Sequence, residues 1–150
     1  MKKPPLVIGW REIVSLPDLG FEMFEAKIDT GARTTALHAL DIEPFQKDGR
    51  EWVRFRPPVL KQGAPEFCEA HLADRRAVKN TSGIPEKRYI IRTHLHLADR
   101  NYLIEISLAD RGDMKYPMII GRTAISGHRL LVDCSHSWLT RPNETAERGV

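Results

Sequence analysis

The chain has 150 residues, a length that suits one domain with a sizeable core, and 41% hydrophobic and 7% aromatic residues are typical of a globular protein. Its net charge of +3 arises from basic and acidic residues that alternate along the chain, and the aromatic residues are not arranged as stacking platforms between basic groups. No nucleic acid partner is therefore predicted. We expect a single domain over residues 1–150, with a loose polar tail from about residue 140.

The N-terminal part contains a short apolar run, Leu6–Trp10, that stops at Arg11 and Glu12. The run is too short for a signal peptide or a membrane span, so we predict a cytoplasmic protein without a membrane partner. In that compartment Cys68 and Cys134 are expected to be free thiols.

The next segment, Glu22–Ile28, alternates apolar and charged side chains with a period of two, which predicts a half-buried strand. It runs directly into Asp29-Thr30-Gly31, the loop on which aspartic peptidases present a catalytic carboxylate. Glycine lets the backbone approach a carboxylate closely, and threonine offers a hydroxyl that can brace a neighbouring loop. The tripeptide alone would also suit an ordinary turn.

This tripeptide occurs only once in the chain. Peptide hydrolysis by aspartates needs two facing carboxylates, of which one keeps a proton while the other acts as a base on a shared water. The chain must therefore pair with a second copy of itself or be inactive. We predict a homodimer with Asp29, Thr30 and Gly31 as catalytic residues.

The middle of the chain reads as short strands joined by turns. Apolar residues alternate with polar ones in Trp52–Arg56, Ile91–Leu97 and Leu103–Leu108, and Ala98–Asn101 is predicted to be the turn of a hairpin. No long segment has a helical period. Further on, the apolar run Met118–Ile120 ends at Gly121, which predicts a buried strand entering a helical turn.

The order of these features resembles the retropepsin-like aspartic peptidases. One bacterial branch of that group, labelled ATP-dependent zinc protease, is similar over most of the chain between Leu6 and about Ser137. The similar stretches are Lys27–Leu37, Arg75–Ile91 and Ile104–Asp133, including Val78–Gly83 and Asp110–Met114. The resemblance implies an all-β closed barrel with one short helix near the C-terminal end, in which the late apolar segment packs behind the catalytic loop.

The resemblance also implies that Ala77–Arg88 is a flap that closes over the substrate and supplies backbone hydrogen bonds to it. In this reading Lys79, Ser82 and Gly83 contact substrate. Without the resemblance, the same stretch reads as an ordinary surface hairpin.

Two arginines near the motifs, Arg33 and Arg122, suggest how a substrate is chosen. A guanidinium binds a carboxylate through a planar fork, so these residues and the flap cations are predicted to hold an acidic group. Arg33 could instead be solvated or ion-paired, or alter the pH range in which Asp29 works. We predict acidic or glutamate-rich peptides as substrates, which fits the association of this branch with glutamate-adding enzymes. A non-catalytic peptide-binding module on the same barrel is the alternative.

The label of a zinc protease implies a set of zinc ligands. His94 and His96 lie on one side of a predicted strand, where His38 or His71 could join them. The sequence has no His-Glu-x-x-His helix, no Cys-x-x-Cys pair and no phosphate-binding Gly-x-x-x-x-Gly-Lys loop. We therefore predict no metal and no other cofactor, and rank a zinc-dependent peptidase below the other two hypotheses.

Overall fold

The computed structural model of the protein describes residues 4–57, 66–80, 82–110 and 115–140. These residues form eleven β-strands, a short 3-10 helix at Pro17–Leu19 and one α-helix, α1, at Arg122–Gly127. The strands are β1 Leu6–Ile8, β2 Arg11–Leu16, β3 Phe21–Asp29, β4 Thr35–His38, β5 Leu40–Lys47, β6 Arg50–Arg56, β7 Cys68–Lys79, β8 Pro85–Leu97, β9 Arg100–Ala109, β10 Met118–Gly121 and β11 Leu130–Val132. The predicted all-β class, with one short α-helix late in the chain, is confirmed.

Six strands pair in a closed ring, in the order β2, β3, β10, β4, β9, β8. The ring closes because β8 pairs back onto β2, with Val14 opposite Leu97 and Ser15 opposite His96. The β3–β10 and β4–β9 pairs are parallel, and the other pairs in the ring are antiparallel. Strands β7, β6 and β5 continue outward from β8.

The period-two patterns of the sequence explain which face of each strand is buried. On β3, Phe24, Ala26 and Ile28 point into the ring and are buried, whereas Lys27 is exposed. The inner faces of β8 and β9 follow the same rule. Together these side chains form one hydrophobic cluster inside the ring, so the strand that ends at Asp29 is fixed by the core.

The turn between β8 and β9 is shorter than the sequence predicted. Arg100 and Asn101 already pair with Leu97 and His96, so only residues 98 and 99 make the turn. Ala98 has φ 59°, in the left-handed region. Alanine is an uncommon residue there, and the sequence therefore gave no sign of so tight a turn.

The β5–β6–β7 extension brings aromatic and basic side chains together on one face. The ring centroids of Phe45 and Trp52 are 6.4 Å apart, those of Trp52 and His71 are 4.0 Å apart, and the Lys47 ammonium lies 4.8 Å from the Trp52 centroid. Phe45 and Lys47 lie on β5, Trp52 on β6 and His71 on β7, so only the pairing of these three strands brings the side chains together. The rings contact one another across the strands, with Phe45 and Trp52 half-buried and His71 exposed.

The C-terminal segment is tied to the start of the chain through Glu12, whose side chain is fully buried. Its carboxylate accepts hydrogen bonds from the backbone N–H groups of Gly9 (2.6 Å), Leu139 (2.9 Å) and Thr140 (3.1 Å), and from the Thr140 hydroxyl (2.7 Å). Thr140 is therefore buried and bonded, and residues 141–150, for which a loose tail was predicted, lie outside the described residues.

Among the described residues, no helix has both the length and the apolar character needed to cross a bilayer.

Candidate active site

Asp29 lies at the end of β3, beside the end of β10. The two strands run parallel, with Ile120 opposite Ile28 and Gly121 opposite Asp29. Because successive side chains on a strand point to opposite faces, Ile28 is buried in the core and Asp29 points outward, half-buried. A strand anchored by the core therefore presents the carboxylate at the molecular surface.

The loop after Asp29 orients its carboxylate. The Gly31 N–H donates to Asp29 Oδ1 (3.0 Å), and the Ala32 N–H donates to the Asp29 carbonyl (3.1 Å). A β-carbon on Gly31 would lie only 3.2 Å from Asp29 Oδ1. The glycine thus permits the close approach of its N–H to the carboxylate, as the sequence argument requires.

The junction of β10 and α1 supports this loop from behind. The Arg122 N–H donates to the Ala32 carbonyl (2.8 Å), and Thr123 donates to the Arg33 carbonyl through its N–H (3.2 Å) and its hydroxyl (2.9 Å). A β-carbon on Gly121 would lie 2.6 Å from the carbonyl carbon of Thr34. The late apolar-Gly-Arg segment therefore packs directly behind the loop.

Two supporting residues were not found in the sequence. Thr123 holds the Arg33 carbonyl, and the Thr35 hydroxyl accepts the Gly121 N–H in the buried interior (3.0 Å). Both roles depend on contacts between segments about 90 residues apart. The only signal for Thr35 was a hydroxyl residue at a buried strand position, and for Thr123 an exposed hydroxyl residue at the start of a helix; neither is distinctive.

The two arginines expected to hold an acidic group differ in their surroundings. The Arg122 Nη1 donates to the Gly31 carbonyl (3.2 Å), so this guanidinium is already bonded to the loop. Arg33 is exposed and forms no ion pair with any of the described residues. Of the two, Arg33 is the cation that is available to a ligand.

The predicted flap is a long hairpin formed by β7 and β8, and Asn80 organises its tip. The Asn80 Oδ1 accepts the N–H groups of Ser82 (2.9 Å) and Ile84 (3.0 Å), and its carbonyl accepts the Gly83 N–H (2.9 Å). Gly83 has φ +77°, a conformation that glycine adopts without strain. Thr81 lies outside the described residues.

This tip geometry limits which atoms can contact a substrate. The N–H groups of Ser82 and Gly83, expected to bond substrate, are donated within the tip instead. The side chains of Lys79 and Ile84 are exposed, that of Ile84 to 60%, and can therefore contact a substrate. Within the described residues, no hydrogen bond or ion pair joins the tip to the Asp29 loop.

Ion pairs fix the stem of the flap. Arg75 pairs with Glu51 on β6 (2.6 Å), and Glu105 on β9 pairs with Arg76 (2.8 Å) and Arg92 (3.0 Å). The hydrogen bond from Arg76, and next that from Arg92, lowers the pKa of Glu105 below its ordinary value of 4.5. The cations at the stem are therefore largely neutralised by the protein's own carboxylates.

The histidines considered as zinc ligands each contact a different partner. The Nδ1 of His94 lies 2.7 Å from Asp18 Oδ2, and the Nδ1 of His96 lies 3.0 Å from Asn101 Oδ1. His71 packs on Trp52 in the β5–β6–β7 extension. The described residues contain no cluster of three or more His, Cys, Asp or Glu side chains suited to a metal ion, so the geometry does not fit the zinc label.

Residues 7–143 match the family described as RimB-like: Retropepsin-like aspartic endopeptidase RimB. The chain belongs to the RimB-like family. The match covers β3, the Asp29 loop, the flap hairpin and the β10–α1 junction, so the retropepsin-like resemblance inferred from the sequence is confirmed.

Curated relatives of this RimB-like chain are named as ligases, not as peptidases. A probable alpha-L-glutamate ligase of Parasynechococcus marenigrum (strain WH8102) is 41% identical over 130 residues, which are 85% of this chain and 28% of that protein. One of Shewanella pealeana (strain ATCC 700345 / ANG-SQ1) is 36% identical over 140 residues, 92% of this chain and 30% of that protein. The RimB-like chain thus spans less than a third of these relatives.

A solved structure has the same fold over nearly the whole length. The crystal structure of a protein with unknown function from Legionella pneumophila superposes with a TM-score of 0.77 at 27% identity, covering 92% of this chain and 100% of that chain.

Proposed function

We propose that this RimB-like protein is an aspartic-type peptide hydrolase that works as a homodimer, with one Asp29 from each subunit. The observation that carries the proposal is a single half-buried carboxylate, oriented by the Gly31 N–H on a loop supported by the β10–α1 junction. The membership in a retropepsin-like family supports it. Because one chain supplies one such carboxylate, the second must come from a second copy.

In the proposed reaction, the two Asp29 carboxylates share one proton and hold a water between them. The ionised carboxylate removes a proton from the water, and the water oxygen bonds to the peptide carbonyl carbon. At the same time the other carboxyl protonates the carbonyl oxygen. The C–N bond then breaks as the nitrogen takes up a proton, which yields a carboxylic acid and an amine. Gly31 orients each carboxylate, and Thr30, which is exposed, braces the facing loop.

The proposed substrates are acidic or glutamate-rich peptides. Arg33 is an exposed guanidinium in the loop that follows Asp29 and has no ion pair with the described residues, and Lys79 adds an exposed cation at the end of the first flap strand. The similarity of this chain to proteins named probable alpha-L-glutamate ligase supports a substrate that contains glutamate. Arg122 contributes mainly by holding the loop. Ser82 and Gly83 contribute the shape of the tip, because their N–H groups are bonded to Asn80.

The alternative function is a peptide-binding module that does not cleave. It is favoured by the relatives' name, since a segment spanning less than a third of a ligase could serve as its substrate-holding accessory. In that case the groove captures an acidic peptide, and Asp29 remains far from its counterpart. A zinc-dependent peptidase ranks last, because no suitable ligand cluster exists among the described residues.

The test compares a glutamate-rich peptide with the same peptide carrying glutamine in place of glutamate. Purified protein should cleave the acidic peptide faster, and Asp29→Asn should reduce cleavage by at least about 100-fold, since acid–base catalysis is removed. Asp48→Asn, at an exposed turn with φ 52° that asparagine tolerates, is the matched control and should cleave normally.

Equal or preferential cleavage of the glutamine peptide would reject the acidic specificity. Binding of the acidic peptide without cleavage by the wild type, unchanged in Asp29→Asn, would instead establish the binding module.

We also propose a single domain in the cytoplasm. The buried apolar residues of the ring form one cluster, and Cys68 and Cys134 are both free thiols. Burial raises the pKa of Cys68 to about 11, which keeps this thiol protonated and inert. Cell fractionation and the count of protease-resistant fragments would test both statements.

A further inference from the structure

Ser107 is a polar residue in an apolar part of the ring. It lies on β9 between Ile90 of β8 and Ala36 of β4, and its side chain is fully buried. A buried hydroxyl needs a hydrogen-bond partner, and the Ser107 hydroxyl donates to the Thr35 carbonyl (3.1 Å). The bond joins the second arm of the flap hairpin, through β9, to the first residue of β4.

From Thr35 the contacts continue to the catalytic loop. The Thr35 hydroxyl accepts the Gly121 N–H (3.0 Å), and Gly121 is the neighbour of Asp29 in the β3–β10 pair. The next residue, Arg122, holds the Gly31 carbonyl, and the Gly31 N–H holds the Asp29 carboxylate. Four hydrogen bonds and one peptide bond therefore connect the Ser107 hydroxyl to the carboxylate.

We propose that Ser107 is a positioning residue for Asp29, acting through Thr35 and Gly121. This inference rests on the proposed peptidase function. A carboxylate displaced by about 1 Å can lose a large part of its catalytic effect, and in a twofold dimer each displacement occurs in both subunits. The hydrogen-bonded link to the ring restricts this displacement. The bonds that Thr35 makes with Ser107 and Gly121 are buried, and only those at the loop surface are exposed.

The competing explanation is that Ser107 only fills space and satisfies the Thr35 carbonyl. Under that explanation, removal of the hydroxyl weakens folding but leaves the loop unaffected. Thr93 provides a matched comparison, because it is also buried, lies in the same sheet on β8, and donates its hydroxyl to Asp18 (3.3 Å) away from the loop.

The experiment compares amide hydrogen exchange at Gly121 and Arg122 in Ser107→Ala and Thr93→Val, by NMR of the complete protein. We expect exchange about tenfold faster at both amides in Ser107→Ala, and a change below about twofold in Thr93→Val. Unchanged exchange in Ser107→Ala, or equal acceleration in both variants, would overturn the proposal. This measurement needs no substrate, so it gives an answer even if the wild type cleaves no peptide.

Kinetics provide the second readout. Ser107→Ala should lower kcat about tenfold and leave KM within about twofold, because the substrate-binding groups are unchanged while the carboxylate is less well held. Thr35→Val, which removes the acceptor of the Gly121 N–H, should behave alike, and Thr35→Ser, which keeps that acceptor, should restore kcat. A rise in KM alone, or failure of Thr35→Ser to restore kcat, would contradict a positioning role.

Discussion

At the scale of single residues, Gly121 is a position with little room for a larger side chain. An added β-carbon would lie 2.6–2.9 Å from backbone atoms of Thr34, which cannot rotate away as a side chain could. We predict that Gly121→Ala destabilises the protein by about 1–3 kcal/mol, as overpacking does, and lowers activity because the Asp29 loop is displaced. Urea unfolding measures the first effect and peptide cleavage the second.

The control for this prediction is Gly127→Ala at the end of α1, where an added β-carbon meets nothing within 4 Å. Its stability should change by less than about 1 kcal/mol. Equal destabilisation by the two substitutions would show that the contact with Thr34 is not the cause.

Glu12 supports a second prediction at this scale. Both oxygens of its buried carboxylate accept two hydrogen bonds each, and at least one donor on each oxygen is a backbone N–H. Glutamine offers a single acceptor oxygen, so either orientation of the amide leaves a backbone N–H without its acceptor. Glu12→Gln should therefore cost about 2–4 kcal/mol in the free energy of unfolding. Glu22→Gln, at an exposed position of β3, should be nearly neutral. A similar loss in both variants would show that the hydrogen bonds of Glu12 are not the cause.

At the scale of elements, the strands could be predicted from the sequence, whereas the turns and the contacts between distant segments could not. Alternation on β3 and β8 indicated the buried faces correctly, because one side of each strand meets a single core. The tight turn at Ala98 and the flap tip around Asn80 depend on backbone angles and local hydrogen bonds that one sequence does not specify. The support of the Asp29 loop by Thr35 escaped prediction because it joins distant segments.

The ion pairs at the flap stem lead to a prediction about pH. Since hydrogen bonds from Arg76 and Arg92 lower the pKa of Glu105, its contribution to stability is complete above its ordinary value of 4.5 and is lost as the pH falls through the lowered pKa. Glu105→Gln should cost roughly 0.5–1 kcal/mol at pH 7, because the pairs are partly exposed. The difference from wild type should vanish in acid.

Thermal unfolding of both proteins across that pH range measures this effect. Glu43→Gln, an exposed residue of β5 with no ion pair among the described residues, is the control and should match wild type throughout. A difference for Glu105→Gln that persists unchanged in strong acid would show that the ion pairs are not its source.

At the scale of the whole molecule, the proposed site is complete only when two chains each supply Asp29. The sequence was sufficient for the all-β class, the retropepsin-like family and the position of Asp29 at a strand end, because these follow from side-chain alternation and two short motifs. It was insufficient for the surroundings of the two exposed arginines: the Arg122 guanidinium donates to the Gly31 carbonyl, whereas that of Arg33 has no ion pair with the described residues. Such differences arise only when the β10–α1 junction and the loop meet in space.

Subunit mixing tests the central claim most directly. Wild type and Asp29→Asn are combined in equal amounts at fixed total concentration, and peptide cleavage is measured after the subunits have exchanged. If both aspartates of a dimer are required, only about one quarter of the activity remains, because random pairing makes about one dimer in four fully wild type. Retention of about half the activity would mean that each chain works alone, and would contradict the account.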